Sequence, residues 1–337
     1  MRNYSIDIIK VIFALIIAIG HAGIEIVSSD EIVHCFFVLS GYFLVRSYDS
    51  GKYNEDSINY IARKFARIFP YYITSLVSYL IILCLQNGAN LRSFISQVKN
   101  IVPEVLLLQN AGFFVQGGIN YPLWQMSVLF IASFILFGIV IFNRKLALTV
   151  ICPIFTLIGF TYWENLYHSH EVHRWGVEFG FLYVPLIRGF AAMSLGMLLY
   201  DMISRIVLWL KKRNIKSIYK FLLLIVSIVY YIENNNSSLA LFGFTGILIA
   251  CLLFDMTIKS KVSLKILKSC EKLSLAIYFN HAILLQIVGR DILSHFTHKI
   301  VAILIYCIVL LIFSTIYLFI VDQFTYALKK NEKYKMI

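Results

Sequence analysis

The sequence predicts an all-α polytopic membrane protein of about ten transmembrane helices with both termini cytoplasmic, the whole chain 1–337 forming one membrane domain. Three observations carry this prediction. Of 337 residues, 60% are hydrophobic and only 14% are charged, with a mean hydropathy of +0.79. That is too little polar surface to clothe a soluble globule of this size. Apolar runs approach the roughly 20 residues a helix needs to cross the hydrocarbon core, and the run from Ile300 to Val321 holds no charged residue. The short, strictly alternating segments of a β-barrel are missing.

In chain order the spans are read at 6–27, 32–49, 68–86, 122–142, 146–163, 179–200, 218–232, 238–254, 273–290 and 300–321. The first follows a single basic residue, Arg2, as a signal peptide would, but its length and its polar residues Asp7, Lys10 and His21 fit a retained span better. The second and third are separated by a basic segment with Arg63, Lys64 and Arg67. Arg144 and Lys145 divide the fourth from the fifth, and the sixth contains Arg188. An Asn-rich turn separates the seventh from the eighth, and a Lys-rich segment precedes the ninth. The outer segment 87–121 mixes charges with the apolar patch Val105–Leu108, as a stretch lying along the interface or re-entering the bundle would.

Net charge is +12, which on a soluble protein would suggest nucleic acid. Here position matters more, because Lys and Arg flanking the spans set orientation. With the N-terminus inside, 23 of the 30 basic residues fall in inner segments, whereas the outer turns Ser28–Glu31 and Glu233–Ser238 contain none. Lys10 and Arg188 fall within spans, where charge is costly and suggests function. The six cysteines occur singly, without C-x-x-C or metal-ligand spacing, and read as small apolar residues. His168, His170 and His173 crowd one outer loop, but no Cys or carboxylate pair completes a metal site, so no metal is expected.

Span one is the most informative segment. Lys10 and His21 are eleven residues apart, and eleven steps of about 100° bring the two side chains to within about 20° of one another. Asp7 falls on the same stripe and can pair with Lys10. The stripe must face protein or water. A neutral histidine suits a general base, and an inner lysine suits a phosphate-bearing donor. Span one alone fits equally a Lys10 that snorkels to the headgroups and a His21 that bonds to a neighbouring helix.

The run Asp7-Ile-Ile-Lys10, then ten residues and His21, resembles the D-x-x-R and downstream histidine that open the acyltransferase-3 family of membrane proteins. Further matches follow in the family's order. Phe36-Phe37-Val38-Leu39-Ser40-Gly41-Tyr42 is similar to its second-helix motif, and Arg63 to Tyr72 to its basic entry into the third helix. Pro122-Leu123-Trp124-Gln125-Met126-Ser127, Arg188 to Gly196, and Ser274 to His281 are similar to three later motifs. The departures are Lys10 and Lys64, where the family usually has Arg, and Leu129, where many relatives carry Glu. Lysine keeps the charge but lacks the planar fork for bidentate phosphate contacts.

The resemblance implies ten helices and a bacterial inner-membrane O-acyltransferase. Such an enzyme moves an acyl group, most often acetyl, from cytoplasmic acyl-CoA to a hydroxyl of a surface polysaccharide or lipid-linked glycan. It implies His21 as catalytic base, with Lys10, Lys64, Arg67 and Arg63 holding the donor phosphates. In supporting roles it places Asp7, Ser40 and Gly41 around the donor passage, Trp124 at the acceptor site or the interface, and Arg188 and His281 in the polar interior. The partners implied are the glycan acceptor and membrane lipid, with no nucleic acid. The competing reading is a non-enzymatic transporter or flippase of a glycan precursor, which would also enclose paired charges; the inverted halves common in transporters are not detectable. A reporter fused at Asn235 is expected to report the outer side of the membrane, and cytoplasmic reporter activity there would overturn the orientation.

Overall fold

The computed structural model describes residues 3–51, 56–86, 91–109, 118–168, 177–178, 182–235, 237–254, 261–290 and 292–334. Among these, the chain forms eleven α-helices: α1 (Tyr4–His21), α2 (Ser29–Asp49), α3 (Ser57–Gln86), α4 (Leu91–Val105), α5 (Trp124–Leu146), α6 (Cys152–His168), α7 (Val184–Lys212), α8 (Ser217–Glu233), α9 (Ala240–Leu253), α10 (Lys261–Val288) and α11 (Lys299–Tyr334). A two-residue hairpin, Val177–Glu178 against Leu182–Tyr183, precedes α7. Five stretches are long and apolar enough to cross a membrane: Tyr4–His21, Ser57–Gln86, Tyr121–Asn165, Val184–Lys212 and Lys299–Leu328. The third of these contains both α5 and α6.

Each of the ten stretches read from hydropathy falls on a helix, but several boundaries move for identifiable reasons. α1 stops at His21, six residues short of the expected end, because Gly23 turns the chain with φ of 103°. That is a conformation that favours glycine. At its start, the side chain of Asn3 accepts the Ile6 N–H (3.2 Å) and donates to the Cys251 carbonyl (2.9 Å), capping α1 and tying it to α9. α3 begins eleven residues before the expected span, where Asp56 accepts the Ile58 N–H at 2.7 Å and the Asn59 amide at 3.0 Å. This early start lifts Arg63, Lys64 and Arg67 out of a loop and onto a helix. The turn between α5 and α6 is made by Asn143, at φ −159° and ψ 97°, whose side chain accepts the Leu146 N–H (2.9 Å). Next to it, Arg144 is bidentate on Asp49 (2.9 and 2.9 Å) and also reaches Asp201 (2.9 Å), pinning the ends of α2 and α5 to the middle of α7.

The outward face is apolar. Ile300, Leu304, Ile308, Ile312, Ile316 and Phe319 form an exposed stripe along α11, and Phe221, Leu222, Ile225, Val226 and Val229 do so on α8. Such surface is untenable in water and ordinary against lipid tails. Inside, α2 and α7 cross with backbones almost touching. A Cβ on Gly41 would lie 1.9 Å from the Met193 carbonyl oxygen, and one on Gly196 would lie 2.0 Å from the Val38 carbonyl oxygen. The second-helix motif is therefore, at Gly41, a helix-crossing surface of the small-residue kind. Gly41→Ala is expected to destabilise the detergent-purified protein by about 1–3 kcal/mol, the usual scale of overpacking. Gly138→Ala, whose added Cβ would meet only the Ser57 hydroxyl at 3.1 Å, serves as the comparison. Equal melting temperatures for the two variants would contradict the crossing.

Candidate functional site

Three cavities follow α1 from its first third to its C-terminal end and are called inner, middle and outer in that order. The inner one, about 470 Å³, is lined by Lys10, Arg63, Lys64 and Arg67 together with Ser40, Phe43 and Tyr60. Four cations around one cavity require local partners. Lys10 pairs with Asp7 at 3.7 Å and lies 5.3 Å from the Phe43 ring centroid. The Lys64 ammonium donates to the Ser133 hydroxyl at 2.8 Å, and Arg67 reaches Glu271 of α10 at 3.3 Å. The sequence-predicted cluster is thus assembled from α1 and the early turns of α3, with Asp7 buried beneath it.

The middle cavity, about 130 Å³, shares Lys10, Ser40, Lys64 and Arg67 with the inner one and is closed by Gln125, Met126, Leu129 and Tyr278. Ser40 faces both, its hydroxyl donating to the Phe36 carbonyl at 2.9 Å. Gln125 and Tyr278 also line the outer cavity, about 270 Å³, with His21, Glu25, Asp30, Pro122 and Trp124. Lys10 and His21, on the polar stripe of α1, therefore each line a cavity, one at either end of the row.

His21 is the last residue of α1. Its Nδ1 lies 3.0 Å from Nε2 of His281 on α10, and the Tyr121 ring meets it edge-on with centroids 5.2 Å apart. His281 is fully buried, and its Nδ1 lies 3.1 and 2.8 Å from the carbonyl oxygens of Ile277 and Tyr278. The Tyr278 hydroxyl donates to the Pro122 carbonyl, fixing the start of α5 over the pair. His21 thus lines the outer cavity with a bonded imidazole partner, an arrangement in which a ring nitrogen could take up a proton.

Comparison with known proteins then decides the class, since residues 3–319 match the model of the acyltransferase-3 family, described as an acyltransferase domain. The chain belongs to the acyltransferase-3 family. No curated protein and no solved structure matches it. Membership makes this protein a membrane acyltransferase and removes the ground for reading its enclosed charges as those of a transporter.

Other predicted residues of the acyltransferase take supporting places. Trp124 is buried in the wall of the outer cavity. Arg188 stands behind that wall: 1% exposed, it donates to Asp30 Oδ1 (2.9 Å) and to His34 Nε2 (3.2 Å). Its guanidinium lies 3.9 Å from the Trp163 ring centroid and 5.5 Å from that of Trp124. His34 in turn bonds Glu31 at 3.2 Å. Asp30, Glu31 and His34 were not singled out from sequence, where 28–31 read only as an outer turn. The signal was there in part, as three polar residues opening an apolar helix in front of one intramembrane arginine. His170 and His173 lie outside the described residues, and among the described residues no group of three His, Cys, Asp or Glu is placed to hold a metal.

The segment between α3 and α5 also acts on the site. The end of α4 folds inward, so that Glu104, Gln109 and Asn120 are buried. Glu104 Oε1 accepts the Asn120 N–H at 3.2 Å, Gln109 donates to the Tyr72 hydroxyl at 2.9 Å and to the Leu123 carbonyl at 3.1 Å, and Asn120 donates to Ser75 at 2.7 Å. These bonds hold residues 118–123, and with them Tyr121 and Pro122, against the histidine pair. Glu104 lies outside the spanning helices, and burial pushes its carboxyl up to about 8, against the lowering effect of the Asn120 N–H. An unfolded glutamate titrates near 4.3, so between roughly pH 4.3 and 8 the folded form holds a proton the unfolded form has released. Stability at this site accordingly falls as pH rises through that window and is level above it. Glu104→Gln is expected to flatten this slope, read as the change in melting temperature between pH 5 and pH 8. Parallel slopes for wild type and variant would exclude the effect.

Proposed function

We propose that the protein is an O-acyltransferase of the bacterial inner membrane, carrying an acyl group, acetyl in the simplest case, from cytoplasmic acyl-CoA to a sugar hydroxyl of a surface polysaccharide or lipid-linked glycan. The observation that carries this reading is the row of three cavities, each sharing wall residues with the next, from a four-cation chamber to the cavity lined by His21. The chamber suits the phosphates of a CoA donor, gripped by Lys10, Lys64 and Arg67, with Arg63 at its rim. Lysine contributes a point charge where arginine would offer a fork. The narrow middle cavity beside Ser40, Gln125 and Tyr278 suits the extended arm that presents the thioester. The outer cavity suits the acceptor, with the Trp124 ring as a surface for a sugar and Asp30 and Glu25 as acceptors for its hydroxyls.

In this reading ten helices cross the membrane with both termini inside, so that the cation chamber opens to the cytoplasm. The acceptor hydroxyl attacks the thioester carbonyl carbon, His21 takes its proton, the C–S bond breaks and the CoA thiolate leaves inward. Proton removal by a placed base is worth about 10²–10⁴-fold.

The test is mass spectrometry of surface glycans from a deletion strain complemented with wild type, His21→Ala or Lys10→Ala. Wild type is expected to restore an acyl mass increment, and His21→Ala to leave less than about one hundredth of it. Lys10→Ala is expected to raise the acyl-CoA concentration needed in membrane assays. Identical glycan masses in all strains would remove the glycan acceptor, and full activity in His21→Ala would remove the base.

A further inference from the structure

The hydrogen bonds around His281 fix more than its position. Its Nδ1 lies within bonding distance of two carbonyl oxygens, those of Ile277 and Tyr278 at 3.1 and 2.8 Å. Carbonyl oxygens only accept, so Nδ1 of His281 must carry its proton. A neutral imidazole then has a bare lone pair at Nε2, the atom that lies 3.0 Å from His21 Nδ1. Two lone pairs cannot bond, so His21 Nδ1 must be the donor. The contact is also directed as such a bond requires. The ring centroids are 5.2 Å apart with planes 23° from parallel, so centroid separation exceeds the N···N distance by about the radius of both rings. The rings meet edge to edge, nearly coplanar, with each nitrogen aimed at the other.

We propose that His281 is a positioning residue that locks His21 in its Nδ1–H tautomer, so that the Nε2 lone pair of His21 serves as the base toward the outer cavity. This rests on His21 being the base in the reading above. The relay runs from the α10 carbonyls through His281 to His21 and moves no proton itself. During transfer the acceptor's O–H proton goes to His21 Nε2, the acceptor oxygen bonds the acyl carbon, and the C–S bond breaks to release CoA thiolate. His21 is then an imidazolium whose Nδ1–H still points at the His281 lone pair, and returning the Nε2 proton to the thiolate as CoA thiol resets it. A histidine held as the opposite tautomer would present an N–H to the acceptor hydroxyl and could not take its proton.

The tautomer can be read directly by ¹⁵N NMR of histidine-labelled full-length protein in lipid nanodiscs at neutral pH, the His21 and His281 signals being assigned by their loss in His21→Gln and His281→Gln. The expected spectrum shows both rings protonated at Nδ1 and bare at Nε2. In His281→Leu, His21 is expected to lose the locked Nδ1–H form and kcat to fall at least tenfold, with the KM for acyl-CoA unchanged. His281→Gln, whose amide oxygen can accept from His21, is expected to recover most of both. A wild-type His21 protonated at Nε2, or a His21 tautomer and kcat indifferent to His281→Leu, would overturn the relay. Full acyl transfer by His21→Gln would instead overturn the base, whatever the tautomers show, so the two failures are separable.

Discussion

A charge placed inside a bilayer must be enclosed, and the first helix carries Asp7, Lys10 and His21 on one stripe. Much of the architecture follows from sheltering that stripe. α10 packs along α1 and brings His281 to His21. α3 and α5 close the inner flank through Lys64 and Ser133. α2 supplies the remaining wall, drawn against α7 by the reciprocal approach of Gly41 and Gly196. The helices that need shelter nothing, α8 and α11, present their apolar faces outward. The cost of bare charge in hydrocarbon thus orders the bundle from the inside, and lipid is indifferent to the outside.

The same enclosure separates two electrostatic environments. Cations crowd the inner chamber, each tempered by a neighbour such as Asp7, Glu271 or the Ser133 hydroxyl. Carboxylates, Glu25 and Asp30, line the outer cavity. Arg188 offsets Asp30 from the protein side, bonded to it and to His34 and lying over the Trp163 ring. In the proposed reading an anionic donor would meet the cation-rich end and a hydroxyl acceptor the end lined by carboxylates. Leu129, an apolar residue in the wall of the middle cavity, adds no charge between them.

Much of this was legible in the residues. Hydropathy found the ten helical stretches, and simple periodicity put Lys10 and His21 on one face. What hydropathy reads is contact with lipid, however, and helices continue past the bilayer where capping allows. It therefore missed the early start of α3 at Ser57 and of α10 at Lys261, and with the first of these the reason Lys64 and Arg67 share a face. It overran α1, because Ile24 and Val27 are as apolar beyond the Gly23 turn as the residues before it. The sequence left open whether 87–121 lies along the interface or re-enters the bundle, and it could not single out Glu104, Gln109 and Asn120 as the residues that turn inward, since each is polar and their partners Tyr72 and Ser75 lie on another helix. The same holds for His281: its partner is 260 residues away, and no local pattern announces a pairing at that distance.

The choice of histidine at position 281 has a physical logic of its own. In serine hydrolases the group that orients the basic histidine is a carboxylate. At position 281 a carboxylate would be fully buried and would face the carbonyl oxygens of Ile277 and Tyr278, which repel an anion and offer it no proton. Burying such a charge without a partner is prohibitive. A neutral imidazole turns the same surroundings to use. Each helical carbonyl retains a second lone pair beyond its i→i+4 bond, so α10 orients His281 with oxygens it already owns. His281 then orients His21 with a lone pair that carries no net charge. The resting pair therefore adds no charge to the bilayer interior, and in the proposed reaction a charge would arise on it only for the interval in which His21 holds the proton of the acceptor.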